Sequence, residues 1–249
     1  MKAYAVIPAR YGSTRLPGKL ILPEAKAVTG MHIIEHVYCR VKDAETIEDV
    51  VVATDDQRIY DVVKGFGGCV KMTSAEHNSG TERVAEVAKE LAADIIVNVQ
   101  GDEPEIRPEM VDTVVSTLSE DHKAAMATLA NPILSTNELN DPNAVKVVID
   151  NNGYAIYFSR SPIPHSEHSG DETLGQETFF KHLGIYAYRR DFLINYASLT
   201  PSKLEKVERL EQLRAISNGY KIRVSVTPHS CHGIDTPEDF KRFLAKYRD

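Results

Sequence analysis

Three short apolar runs, Ala3 to Ile7, Val50 to Val52 and Ile95 to Val99, constrain this chain most. Each empties into a polar cluster: Pro8-Ala9-Arg10, Thr54-Asp55-Asp56 and Gln100-Gly101-Asp102-Glu103-Pro104. Between them, apolar residues recur at helical spacing, first Met31, Ile34, Val37, Tyr38 and Val41, then Ile59, Val62, Val63 and Phe66, then Val84, Val87, Ala88 and Leu91. Cys69 to Met72 is short enough for a further strand, and Ser79 with Glu82 has the form of a capping box. Strands alternating with helices predict an α/β fold with a doubly wound, mostly parallel sheet, in which ligands bind beyond the carboxyl ends of the strands. The three polar clusters fall at those ends.

The pattern changes after a helix carrying Met110, Val111, Val114, Val115 and Leu118. Ala124 to Ala130, Ala144 to Ile149, Tyr154 to Phe158 and Leu183 to Tyr188 read as strands, and Asp150-Asn151-Asn152-Gly153 is a hairpin turn signal. This middle section is expected to be antiparallel. The stretch from Pro162 to Gln176, with His165 and His168, reads as a polar surface loop in preference to a metal site. Lys203 to Asn218 is expected to be one long amphipathic helix with Leu204, Val207, Leu210 and Leu213 on its apolar side, followed by a strand from Lys221 to Val226. A last helix opens at Thr236 with Pro237 at its first position. Nothing in the composition divides the chain, so residues 1–249 are expected to form a single domain with 124–190 as a smaller antiparallel subregion.

The loop from Pro8 to Lys19 is suited to an anion. Gly12 and Gly18 permit close backbone approach, Ser13 and Thr14 bring hydroxyls, and Arg10, Arg15 and Lys19 bring charge for phosphate oxygens. It matches neither a P-loop nor a dinucleotide fingerprint, which argues against NAD or FAD. The 29 cations against 36 carboxylates leave a net charge of −7, unsuited to a nucleic-acid or anionic-membrane surface, so the anion-binding cations must be gathered locally. Cys39, Cys69 and Cys231 are widely separated and read as reduced thiols. No apolar stretch approaches a membrane span and the N-terminus enters a strand directly, which points to the cytoplasm.

Pro8-Ala9-Arg10 with Gly12-Ser13-x-Arg15-Leu16-Pro17-Gly18-Lys19 resembles the signature of cytidylyltransferases that activate acidic sugars. Further blocks, Ser79 to Arg83, Asn98 to Pro104, Tyr157 to Arg160, His182 to Tyr186, Leu210 to Arg214 and Asp235 to Asp239, resemble in order one family, the 3-deoxy-manno-octulosonate cytidylyltransferases, also called CMP-KDO synthetases. After Lys19 the chain departs from that family's Gly-Lys-Pro pattern, reading Leu20-Ile21-Leu22-Pro23.

The resemblance implies a nucleotide-diphospho-sugar transferase-like fold, a homodimer, and transfer of CMP from CTP to an acidic sugar, the product feeding lipopolysaccharide assembly. It implies that Arg10 and Lys19 contact the triphosphate, with Ser13 and Arg15 in the same loop, and that the cytosine lies near Pro8, Ala9, Ser79 and Gln100. Arg83 would face the polyphosphate or the sugar. Gln100, Arg160, His182, Tyr186, Glu211 and Gln212 are implied sugar contacts. Magnesium is the implied cofactor, with Asp102 and Asp235 as its ligands; helix capping, the alternative for Asp235, is already filled by Thr236. The rival readings are a cytidylyltransferase for a sialic acid or an amino-substituted KDO, and a nucleotide-binding regulator without turnover.

Overall fold

The computed structural model describes residues 1–13, 15–77, 79–165 and 178–247. In chain order the strands are β1 (Ala3–Ala9), β2 (Ile47–Thr54), β3 (Val70–Met72), β4 (Ile95–Asn98), β5 (Met126–Pro132), β6 (Lys146–Ile149), β7 (Ala155–Ser159), β8 (Phe180–Arg189) and β9 (Ile222–Val226). The α-helices are α1 (Pro23–Thr29), α2 (Ile33–Lys42), α3 (Gln57–Gly65), α4 (Gly80–Ala88), α5 (Pro108–Glu120), α6 (Thr136–Asn140), α7 (Arg190–Asn195), α8 (Lys203–Glu208), α9 (Gln212–Ser217) and α10 (Pro237–Ala245). None is long and apolar enough to cross a membrane. The chain forms two compact units, Met1–Asp112 with Cys231–Asp249, and Thr113–Ser230.

In the first unit the strands run in the order β3-β2-β1-β4, all parallel. Ala5 of β1 lies beside Val50 of β2 and Val97 of β4, and all three side chains are fully buried. Strands buried on both faces need continuous apolar sequence, which explains why these runs show no alternation. The crossover helices α2, α3 and α4 bury the faces the sequence predicts: Ile34 and Val37, Ile59 and Val63, Val84 and Val87. The last helix, α10, opens as expected: the Thr236 hydroxyl accepts from Asp239 N–H at 3.1 Å while Asp239 answers the Thr236 N–H at 3.0 Å. Its Phe243 ring meets the edge of His36.

In the second unit β5 pairs antiparallel with β8 and parallel with β9, while β6 and β7 form an antiparallel hairpin. The expected turn is present. Gly153 has φ 78°, and the Asp150 carboxylate accepts from the N–H of Asn152 and of Tyr154 at 2.8 Å each. Both parts of the expected fold class are therefore found, the parallel sheet and the antiparallel section.

One segment is left unassigned by the sequence and one expectation is corrected. The segment after Lys19 forms a 3₁₀ turn (Lys19–Ile21) and then α1, whose Pro23 at the first turn and left-handed Gly30 at the C-terminus are ordinary helix punctuation that the sequence reading passed over. The helix expected from Lys203 to Asn218 is broken into α8 and α9 at Arg209, which takes φ 55°. Leu204 and Val207, placed on its buried side, are 46% and 82% exposed, whereas Leu210 and Leu213 do pack. A separate capping box at Ser202 and Glu205 starts α8, and Glu205 forms a two-pronged ion pair with Arg214 of α9. Of the polar stretch from Pro162 to Gln176, the part from residue 166 on, with His168, lies outside the described residues.

Candidate functional site

β1, β2 and β4 are parallel, so the polar clusters after them emerge on one edge of the first unit. Close packing holds them there: a Cβ on Gly101 would lie 3.1 Å from the Pro8 carbonyl, and one on Gly80 would lie 3.4 Å from the Pro8 ring. Pro8, Ala9, Ser79 and the Gln100-Gly101 turn are thus brought together. Ser79 itself caps α4, its hydroxyl accepting from Glu82 N–H at 3.3 Å.

The loop after β1 turns back on Tyr11. Gly18 N–H donates to the Tyr11 carbonyl at 3.0 Å, and Gly18 adopts φ 67° with its α-carbon against the Tyr11 ring, where a Cβ would be only 3.0 Å away. On the ring sits Arg58, 3.3 Å from its centroid, held by Asp56 through Nε at 2.9 Å and Nη2 at 2.6 Å. Sequence reading missed this clasp, although Asp56 belongs to a strand-end cluster it had marked. Within the loop, Ser13 Oγ accepts from Leu16 N–H at 3.4 Å, and Arg10 and Arg15 are exposed.

Lys19 leaves the loop and places its ammonium 2.5 Å from Asp102 Oδ2 and 2.9 Å from Asp235 Oδ1. Asp102 stands in the turn after β4, and Asp235 is brought to it by the Ile234 N–H, which donates to the Asp102 carbonyl at 2.9 Å. Burial works against a charged Lys19, but the two carboxylates outweigh it and raise its pKa. Arg83 is buried; its guanidinium donates to Asp55 at 2.7 Å and to Thr73, so it ties α4 to the ends of β2 and β3.

The second unit carries the remaining predicted residues. His182 and Tyr186 lie on β8 with ring centroids 5.1 Å apart, and Phe158 of β7 meets His182 edge-on, also at 5.1 Å. Thr128 Oγ1 lies 3.1 Å from His182 Nε2 and donates to the Ile185 carbonyl at 2.7 Å where β5 and β8 shift register. Burial lowers the His182 pKa to about 3, so the imidazole is neutral, and it keeps the Tyr186 phenol protonated. A neutral imidazole and a phenol suit hydroxyl recognition. Arg160 follows β7, with Nε donating to the Glu208 carbonyl and Nη1 to the Pro142 carbonyl, each at 2.9 Å. Glu211 and Gln212 stand at the start of α9, the first exposed and the second buried; the Glu211 carbonyl accepts from Tyr196 Oη at 2.5 Å.

The arrangement offers cations and hydroxyls on a glycine-bearing loop, two acidic groups converging on one cation, and a separate set of hydroxyl partners. A family model described as Cytidylyltransferase matches residues 4–222. The chain is 51% identical to the 3-deoxy-manno-octulosonate cytidylyltransferase of Syntrophotalea carbinolica, covering 100% of this chain and 99% of that protein. It is 47% identical to the protein of the same name from Geobacter sulfurreducens, with 100% of each covered. A solved structure of CMP:2-keto-3-deoxy-manno-octonic acid synthetase complexed with CTP superposes with a TM-score of 0.91 at 43% identity, covering 99% of this chain and 98% of that one. The 4-diphosphocytidyl-2C-methyl-D-erythritol synthase of Anaerococcus prevotii shares the fold at 15% identity and TM-score 0.62, covering 100% and 96%.

Proposed function

The chain belongs to the 3-deoxy-manno-octulosonate cytidylyltransferase family, and from that premise we propose how its residues carry out the reaction. It is a nucleotidyltransferase that converts CTP and 3-deoxy-D-manno-octulosonate (KDO) to CMP-KDO and diphosphate, activating KDO for lipopolysaccharide biosynthesis. The sugar's anomeric hydroxyl oxygen forms a bond to the α-phosphorus of CTP and gives up its proton to water, the bond from the α-phosphorus to the bridging oxygen breaks, and diphosphate leaves with that electron pair. No covalent enzyme intermediate is needed.

Both reactants are anions, so the protein's task is charge neutralisation and alignment. Arg10, Arg15, Lys19 and Ser13 face the triphosphate, while Pro8, Ala9, Ser79 and Gln100 surround the cytosine, whose base edge is read by amide and backbone groups. Arg83, which the resemblance sets facing the polyphosphate or the sugar, is buried and donates to Asp55 and Thr73, so its part here is to hold the strand ends that carry them. Asp102 and Asp235 would hold magnesium; their convergence on a single ammonium is the observation that carries this reading, because a place where two carboxylates already share one cation fits a hard divalent ion. A bound magnesium ion would supply neutralisation of phosphate charge and a lowered pKa for the attacking hydroxyl. Asp102 and Lys19, with Arg10, are the catalytic residues.

On the second unit Arg160 pairs with the sugar carboxylate, and His182, Tyr186, Glu211 and Gln212 take its hydroxyls; Gln100, on the first unit, is a further sugar contact. The antiparallel subregion at 124–190 supports sugar binding and a homodimer, which light scattering checks. We infer that the reaction takes place in the cytoplasm, a reading in keeping with the free thiols Cys39, Cys69 and Cys231.

The test is diphosphate release with magnesium, each of CTP, UTP, ATP and GTP, and KDO, its 8-amino analogue or a sialic acid. Release with CTP and KDO alone is expected. Release with CTP and another sugar would change the acceptor, and CTP binding without release from any sugar would leave a regulator.

A further inference from the structure

Arg160 is held more completely than a surface arginine needs to be. Its backbone N–H donates to Glu208 Oε2 at 3.0 Å, its Nε to the Glu208 carbonyl, and its Nη1 to the Pro142 carbonyl. Its own carbonyl accepts from Lys146 Nζ at 2.7 Å, and Lys146, with no exposed surface, also donates to the Asp141 carbonyl at 2.9 Å. Glu208 is fixed in turn: Ser159 donates its hydroxyl to Oε1 at 2.6 Å. Burial works against the Glu208 charge, but the Arg160 N–H and Ser159 hydroxyl outweigh it and keep its pKa low.

The helix break at Arg209 belongs to the same cluster. Among the described residues Arg209 is the one non-glycine with positive φ, a conformation that an L side chain adopts at a cost and keeps only where its surroundings demand it. Ending α8 there releases the Glu208 carbonyl from helical bonding, and that carbonyl is the acceptor for Arg160 Nε. Strain, a buried lysine and a carboxylate with three donors converge on one arginine, of which Nη2 alone among the guanidinium nitrogens has no partner among the described residues.

We propose that Glu208, backed by Lys146, is a positioning residue: its carboxylate fixes the Arg160 backbone N–H and its carbonyl the Nε, and together they present the Arg160 guanidinium to the sugar carboxylate. The inference rests on the reading of Arg160 as the carboxylate's partner. An arginine held in place before binding gives up less side-chain freedom when the substrate arrives, so the cluster acts on sugar affinity and not on the chemical step.

The test is steady-state kinetics of Glu208→Gln, Arg160→Met and the double variant, with thermal unfolding of each. Glu208→Gln is expected to raise the KM for KDO about tenfold, because a neutral amide with one acceptor oxygen replaces a carboxylate that accepts from Arg160 N–H and the Ser159 hydroxyl, while kcat and the KM for CTP stay within about twofold. In the Arg160→Met background it should add nothing. The proposal is overturned if Arg160→Met raises the KM for KDO and Glu208→Gln does not, or if Glu208→Gln moves both KM values together with the melting temperature. If Arg160→Met itself leaves the KM for KDO unchanged, the reading of Arg160 fails first and the proposal with it. Should Glu208→Gln not fold, Ser159→Ala weakens the same carboxylate; a KM for KDO raised about twofold supports the proposal and an unchanged one overturns it.

Discussion

Lys19 and Asp102, 83 positions apart, meet with 2.5 Å between ammonium nitrogen and carboxylate oxygen. Asp235 approaches the same ammonium from a segment 216 positions away, at 2.9 Å. One cation therefore holds together the loop after β1, the turn after β4 and the approach to α10.

Asp102→Asn is expected to lower kcat by about 100-fold or more, as loss of a group that places positive charge on the reacting phosphate does. The melting temperature should change little, since Asp102 is partly exposed and the strand beneath it is untouched. Unchanged turnover at saturating magnesium would remove Asp102 from the mechanism.

Lys19→Gln removes both a triphosphate partner and the cation now lying between the two carboxylates. Its kcat/KM for CTP should fall by about 100-fold or more. In the absence of nucleotide it should bind Mn²⁺ more tightly than the unaltered protein, read by electron paramagnetic resonance. Equal Mn²⁺ affinity would show that the ammonium does not compete with a metal for Asp102 and Asp235.

Gly18→Ala places a Cβ at φ 67° and 3.0 Å from the Tyr11 ring. A destabilisation of about 1–2 kcal/mol is expected from urea unfolding, since an L residue in this region is strained. Gly12→Ala, whose Cβ would meet nothing within 4 Å, is the control and should unfold close to the parent.

His182 makes stability depend on pH. Its folded pKa, about 3, lies below the ordinary 6.5, so the unfolded chain takes up the proton first as pH falls. The stability it contributes is complete above pH 6.5 and is lost on acidification towards pH 3, with a slope approaching 1.4 kcal/mol per pH unit in that window by order of magnitude. His182→Gln should flatten the curve of unfolding free energy between those limits. An equally steep curve would assign the acid sensitivity to other groups.

Much of this was legible in local sequence. The runs Ala3 to Ile7 and Ile95 to Val99 could only be buried strands, the Thr236 cap and the Asp150 to Gly153 turn use chemistry confined to four residues, and Pro23 with Gly30 marked α1 for a closer reader. The stripe Leu204, Val207, Leu210 and Leu213 was equally clear and misled, because periodicity reports which face could be buried and not whether anything covers it.

The sequence by itself determined the alternation of elements, the polar clusters at the strand ends and, through ordered blocks of resemblance, the family. Only the tertiary structure decided which distant groups share a charge or a hydrogen bond: Lys19 between Asp102 and Asp235, Arg58 on Tyr11, and the Glu208 carboxylate on the Arg160 N–H. The physical reason is range. Strand and helix formation follow from burial patterns a few residues wide, whereas an ion pair or a strained turn is stable only where residues far apart in sequence are already held within about 3 Å.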